Sequence, residues 1–251
     1  MISLAQQITQ IDQLKTRLDT LRPLENPAIL HALDIEYTYE SNRIEGNTLT
    51  LRETELVIDK GLTVGGKSMR EHLEAINHYE AVLLLREMVE PSTQLTESLI
   101  KQLHGIILRG IERENAGRYR SVPVMISGSR HIPPQPWQVP KLMEECCLEY
   151  EQQCKQLHPV VLAAELHERI ATIHPFIDGN GRTARLVMNL ILLQYGYPIA
   201  NIPGDTQSRL AYYDALEQCN LEQDRSTFQA LIAGYVLNSI KQLLKILGET
   251  P

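Results

Sequence analysis

The chain has 251 residues, 43% hydrophobic and 22% charged, with 24 basic against 31 acidic residues for a net charge of −7. That composition belongs to a packed globular protein and excludes disordered, collagenous and low-complexity classes. No run of 18 apolar residues is present to span a bilayer, and the acidic balance argues against a sequence-independent nucleic-acid binder.

The amino terminus lacks the basic-then-apolar plan of a secretory leader. Cys146, Cys147, Cys154 and Cys219 form no CxxC pair, so neither a zinc site nor a disulfide framework is expected. Reduced thiols in a cytoplasmic protein are the simplest reading.

In chain order, Ile8, Ile11, Leu14, Leu18 and Leu21 recur at helical spacing, with Pro23 and Pro27 read as the stop. A second helix is predicted over 28–45, ending at Gly46-Asn47. Thr50 and Glu53 form a capping-box pattern for a short helix that ends before Gly61. A loop with Gly65 and Gly66 leads to a helix over 68–89; Pro91 interrupts, and another helix covers 96–108.

Residues 110–140 break the pattern, with five of the 13 prolines. Within them, 122–132 reads as a small β-hairpin turning at Ser127-Gly128-Ser129. Helices resume over 139–157, 160–173, 182–195, 207–220 and 226–247. The expected fold is therefore all-α with one small hairpin, and residues 1–65 read as an appended helical element. No internal repeat or linker is visible.

The most informative run is His174-Pro-Phe-Ile-Asp-Gly-Asn-Gly-Arg-Thr-Ala-Arg185, set between two helical patterns. Gly179, Asn180 and Gly181 can turn backbone N–H groups into one concavity, and the following helix points its positive dipole end there. Arg182 and Arg185, three apart, add two cations to one face. Asp178 is a hard oxygen ligand of the kind that holds Mg²⁺ together with phosphates. His174 is a candidate general base near neutral pH.

This run resembles the Fic signature, H-x-F-x-D/E-G-N-G-R-x-x-R, at every defined position. The resemblance implies a mainly helical Fic-like catalytic domain over 66–251 that transfers AMP from ATP to a Ser, Thr or Tyr hydroxyl of a protein target or of itself. By position, His174 would deprotonate that hydroxyl, Asp178 would hold Mg²⁺, and Gly179, Asn180, Gly181, Arg182 and Arg185 would hold the phosphates. Phe176 would anchor the loop in the core. Related Doc kinases carry Lys where this chain has Gly181, which favours nucleotidyl transfer over phosphorylation.

Ser41, Glu45 and Gly46 resemble the family's inhibitory motif, S/T-x-x-x-E-G/N. Residues 1–65 would then carry a brake, with Glu45 in a bidentate pair with Arg185 and Ser41 fixing its helix. The stretch from Gly117-Arg-Tyr-Arg120 to His131-Ile-Pro-Pro134 resembles the Fic flap, with Ser129, Arg130 and His131 as candidate contacts to nucleotide or target. An edge strand there would pair with an extended target segment. Tyr212, Tyr213 and Asn220 resemble the nucleoside pocket, the tyrosines stacking on adenine.

Two other readings stand beside transfer. One is removal of AMP at the same site, with Glu45 orienting a water; the other is a non-catalytic nucleotide-binding regulator. No winged-helix module is expected before Pro251, and neither nucleic acid nor membrane is expected as a partner. Homodimerisation, the target, and UTP or GTP in place of ATP are not decided by the sequence.

Overall fold

Side-chain caps written into the sequence start most of the helices. Ser3, Thr50 and Ser68 each form a capping box, with Gln6, Glu53 and Glu71 respectively. Asn26, Thr96 and Asp205 cap three more through their side-chain oxygens. The computed structural model describes residues 3–22, 26–89 and 94–250.

The helices are α1 (Leu4–Leu21), α2 (Pro27–Ile44), α3 (Leu51–Lys60), α4 (Met69–Glu87) and α5 (Glu97–Ile107), then α6 (Val139–Gln153), α7 (Pro159–Ile173), α8 (Asn180–Gln194), α9 (Thr206–Glu222) and α10 (Ser226–Ile246). Pro27, read as part of a stop, instead opens α2, where its missing N–H costs nothing. Pro23 and Pro91 lie outside the described residues.

Every residue of α8 from Arg182 to Leu192 is buried, so this helix is the axis of the bundle. It packs along α7, with α5, α4 and α2 around it. α1 lies along α10 and adds Ile11, Leu14 and Leu18 to the same core that takes Tyr37 and Ile44 from α2. A smaller cluster of Leu49, Val57 and Ala75 sits under α3.

The expected hairpin does not form: among the described residues there is no strand. The turn itself is present, with Gly128 at φ +80° and the Ser129 amide donating to the Ile126 carbonyl at 3.2 Å. Side chains take the places a ladder would have used. Arg120 donates to the carbonyls of Val122 (3.2 Å) and Pro134 (2.5 Å), and Glu217 accepts the Arg130 amide at 2.7 Å. Prolines at 123, 133 and 134 remove further donors.

The link between α7 and α8 is the Fic-like loop, nailed down by Phe176. Its ring is fully buried and stacks on His104 at 3.6 Å. Its amide and carbonyl both bond the Asn180 side chain at 2.9 Å. Phe176→Ala is expected to cost about 3–5 kcal/mol. Thermal denaturation followed by circular dichroism should show a Tm lower by roughly 10 °C.

Candidate active site

His174 ends α7 in the left-handed region, at φ +51°. Its Nδ1 faces the Ala171 carbonyl at 3.3 Å, and a carbonyl only accepts. Nδ1 therefore carries the proton, which leaves the Nε2 lone pair as the base. Burial pushes the imidazole below its ordinary pKa; the Ala171 carbonyl opposes this and nearby Arg120 adds to it.

Asp178 sits on the far side of the loop. Its Oδ1 accepts the Gly179 amide at 2.6 Å and faces Arg182 at 3.4 Å, while Oδ2 meets Arg70 at 2.5 Å. Burial alone would raise this carboxyl, but Arg182, the Gly179 amide and Arg70 together hold it below the usual carboxylate range. His104 locks the loop from behind. Its Nε2–H donates to the Asp178 carbonyl and its Nδ1 accepts the Gly117 amide, both at 2.9 Å. That ring must be neutral, and burial holds its pKa down at about 4.

Gly179 caps α8 with φ +77°. The amides of the first α8 turn, Asn180 to Arg182, have no partner within the helix, the arrangement that suits an anion. Asn180 itself spends its side chain on Phe176. Arg182 is 2% exposed, yet its Nε and one Nη carry no hydrogen bond. A buried guanidinium with unused donors is suited to a phosphate.

Arg185, 1% exposed, is held almost wholly by α2. Its Nε donates to Ser41 Oγ and one Nη to the Ser41 carbonyl, each at 3.0 Å; the same Nη reaches Glu45 Oε1 at 2.7 Å. The expected bidentate Glu45–Arg185 pair is thus a single contact, because the other donors go to Ser41 and to Tyr212 at 3.4 Å. Burial alone would lower the Arg185 pKa; the Glu45 carboxylate and Tyr212 reverse this and raise it. His78 and His167 nearby are kept neutral by burial and by the Arg185 charge.

Gly46, at φ +96°, ends α2 so that Glu45 projects from the last turn. A Cβ added to Gly181 would lie 2.5 Å from Glu45 Oε1. The carboxylate therefore fills the space above the loop glycine.

The nucleoside candidates divide. Tyr212 is 1% exposed and its hydroxyl bonds His167 Nε2 at 2.9 Å, so its ring has no face open to a base. Tyr213 is 42% exposed, beside the end of α2, with its hydroxyl on the Ile44 carbonyl. Asn220 is spent internally, accepting from Thr172 at 2.6 Å and donating to Leu216. At the flap, Ser129 and Arg130 are tied to Glu217, and His131 donates to the Thr172 carbonyl at 3.0 Å.

Several contributors were not anticipated. Arg120, 3% exposed, donates its Nε to the His174 carbonyl at 2.8 Å and its amide to Pro175 at 2.9 Å. Glu74 meets Arg70 (3.1 Å), Arg182 (3.5 Å) and Asn47 (3.0 Å), joining the residues after α2 to the start of α8. A stripe of polar residues on buried α4, Glu74, Asn77 and His78, was the available signal.

Comparison with known proteins agrees with this geometry. Residues 94–192 match the family profile described as Fic/DOC family. The chain is 38% identical to protein adenylyltransferase Fic of Drosophila grimshawi over 86% of its own length and 44% of that protein's. For the Nematostella vectensis protein of the same name the values are 39%, 74% and 43%. The chain thus spans under half the length of these relatives. A Fic domain containing signaling protein from Bacteroides thetaiotaomicron superposes with a TM-score of 0.87 at 30% identity, covering 96% of this chain and 98% of that one. Fic-1 of C. elegans gives 0.86 at 27% identity, with 98% and 73% covered.

Proposed function

The chain belongs to the Fic family, and from that premise we propose that it is a protein adenylyltransferase held in check by its own α2. The observation that carries the reading is the Glu45 carboxylate, bonded to Arg185 and filling the space over Gly181 in an otherwise complete phosphate cradle.

In this reading ATP lays its phosphates on the first-turn amides of α8, on Arg182 and, once Glu45 withdraws, on Arg185. Asp178 suits Mg²⁺: it is an ionised, part-exposed carboxylate, and among the described residues no cluster of three or more His, Cys, Asp or Glu offers an all-protein cage. Bound there with phosphate oxygens, the ion would neutralise charge on the departing pyrophosphate. His174 Nε2 takes the proton of the target hydroxyl as its oxygen bonds to the α-phosphorus. The bond from that phosphorus to the β-phosphate bridging oxygen breaks, and pyrophosphate leaves with the electron pair.

The flap supports delivery of a target segment, since Arg120 ties both of its limbs to the His174 carbonyl. Arg120→Ala is expected to lower turnover by about tenfold or more, with the KM for ATP little changed, because it loosens the base and not the phosphate cradle. Steady-state kinetics in the Glu45→Gly background checks this.

A second reading, hydrolysis of an AMP ester with Glu45 orienting water, is favoured by one observation: the Glu45 carboxylate is part-exposed and lies over the loop glycine Gly181. Intact-protein mass spectrometry with ATP and Mg²⁺ tests the first reading. Gain of one AMP by a Glu45→Gly variant supports it; release of AMP from a modified protein by the wild type, with no gain in any form, favours the second. Among the described residues no helix is long and apolar enough to cross a membrane. With four free cysteines, we keep the cytoplasm as the proposed location.

A further inference from the structure

The chain carries a net charge of −7, yet residues 115–143 contain no Asp or Glu. They hold Arg118, Arg120, Arg130 and Lys141, with His131 besides. Arg120 is buried and structural, but Arg130 and Lys141 have side chains 76% and 80% exposed. The same stretch displays the most exposed large apolar residues among those described, Met125 at 91%, Ile132 at 79% and Trp137 at 76%. Trp137 is the only tryptophan.

Placement links the two properties. Trp137 and Lys141 lie four residues apart where a 3-10 turn (Pro136–Gln138) runs into α6, which puts them on one face. Ile132 follows Arg130 by two residues, just past the flap turn. Trp137 and Ile132 thus each have a cation close by in the chain, Lys141 and Arg130 respectively. Both cations have only loose partners, Glu217 at 3.4 Å from Arg130 and Glu145 at 3.7 Å from Lys141. Exposed pairs of this kind contribute little, so a carboxylate from elsewhere replaces them at small cost.

We propose that the segment received by this flap is an extended stretch of a target protein in which an apolar side chain is flanked by Asp or Glu, gripped by Trp137 with Lys141 and by Ile132 with Arg130. This rests on the transferase reading and names the chemistry of its protein substrate. The guanidinium of Arg120 holds the Val122 and Pro134 carbonyls of the two limbs together with the carbonyl of His174, so a segment seated on the flap is presented to the base. A polyanionic nucleic acid fits less well. Asp214, Glu217 and Glu222 line the groove beneath the flap tip beside Arg130 and repel a continuous polyanion, whereas a short segment with one or two carboxylates needs only the exposed Arg130 and Lys141 heads outside that groove.

The sole tryptophan supplies a readout that needs no catalysis. The full-length wild type is titrated with a ten-residue peptide bearing Thr, Leu and flanking Glu residues, and Trp137 emission is followed. Saturable blue-shifted emission is expected, about tenfold weaker when the Glu residues are replaced by Lys. Combining Arg130→Glu with Lys141→Glu, both on exposed side chains, should invert that preference. Equal binding of the two peptides, preference for the Lys peptide, or a shift given only by a single-stranded oligonucleotide overturns the proposal. So does a shift that follows protein concentration without peptide, which assigns the patch to a second copy of this chain.

AMP addition to both peptides by Glu45→Gly separates the two levels. Addition without charge preference removes this proposal and leaves the transferase reading. Charge-selective binding with no addition to peptide or protein leaves the surface and removes the chemistry.

Discussion

Glu45→Gly is expected to raise AMP transfer roughly 10- to 100-fold, the equivalent of losing one charge-assisted hydrogen bond from the resting state. Two effects act together. The Glu45 carboxylate holds an Arg185 Nη at 2.7 Å, and its Oε1 lies where negative phosphate oxygens must approach Gly181. Removing it frees a guanidinium and clears an anion from an anion site. Ser41 still holds Arg185 through two 3.0 Å bonds, so the arginine stays in place for phosphate. Glu45→Asp, which keeps the charge but shortens the arm, should give an intermediate gain. Radiolabel from [α-³²P]ATP incorporated into the protein itself reads the effect directly; an unchanged rate in Glu45→Gly would sink the brake.

His174→Ala in that activated background is expected to cost about 10²- to 10⁴-fold, the range typical for loss of a general base. The pH profile separates a base from a structural histidine. Burial depresses the imidazole pKa below 6.5, and only the neutral ring accepts a proton. The acid limb of kcat/KM should therefore fall below pH 6.5, with no loss from this group at neutral pH. The same depression has a stability counterpart. As pH drops below 6.5 the unfolded chain protonates this residue before the folded one does, so the folded state loses stability. A rate that survives His174→Ala, or an acid limb above pH 7, would contradict the assignment.

What could be read from the sequence depended on how local the cause was. Helices with their own caps, such as α3 between Thr50 and Gly61, are written within a few residues. The run from His174 to Arg185 is likewise contiguous, and its shape follows from Gly179 and the turn into α8. The flap was misread because an apolar run and a Ser-Gly turn describe a hairpin only when the backbone is free to pair. Here Arg120 and Glu217 claim those groups. Tyr212 and Asn220 were placed in a pocket by type and position, but their burial and bonds are set by His167 and Thr172 on another helix. Arg70 and Arg120 were missed for the same reason: Arg70 meets Asp178 across 108 residues, and Arg120 meets the His174 carbonyl across 54.

The anchoring of α2 also sets the size of the motion that can free Arg185. Along its length the helix is fastened by Asp34, which takes two 2.6 Å bonds from Arg86, and by buried Tyr37, Thr38, Ser41 and Asn42. Lifting it whole would tear those groups out of the core. Only the cap that follows Ile44, where the Glu45 side chain is part-exposed before Gly46, can open without doing so. Amide exchange at residues 45 and 46 should therefore run through local fraying, far ahead of residues 35–42, which exchange only with global unfolding. On the proposed reading the moving part is the cap residues 45 and 46, and all of α2 up to Ile44 is their fixed mounting.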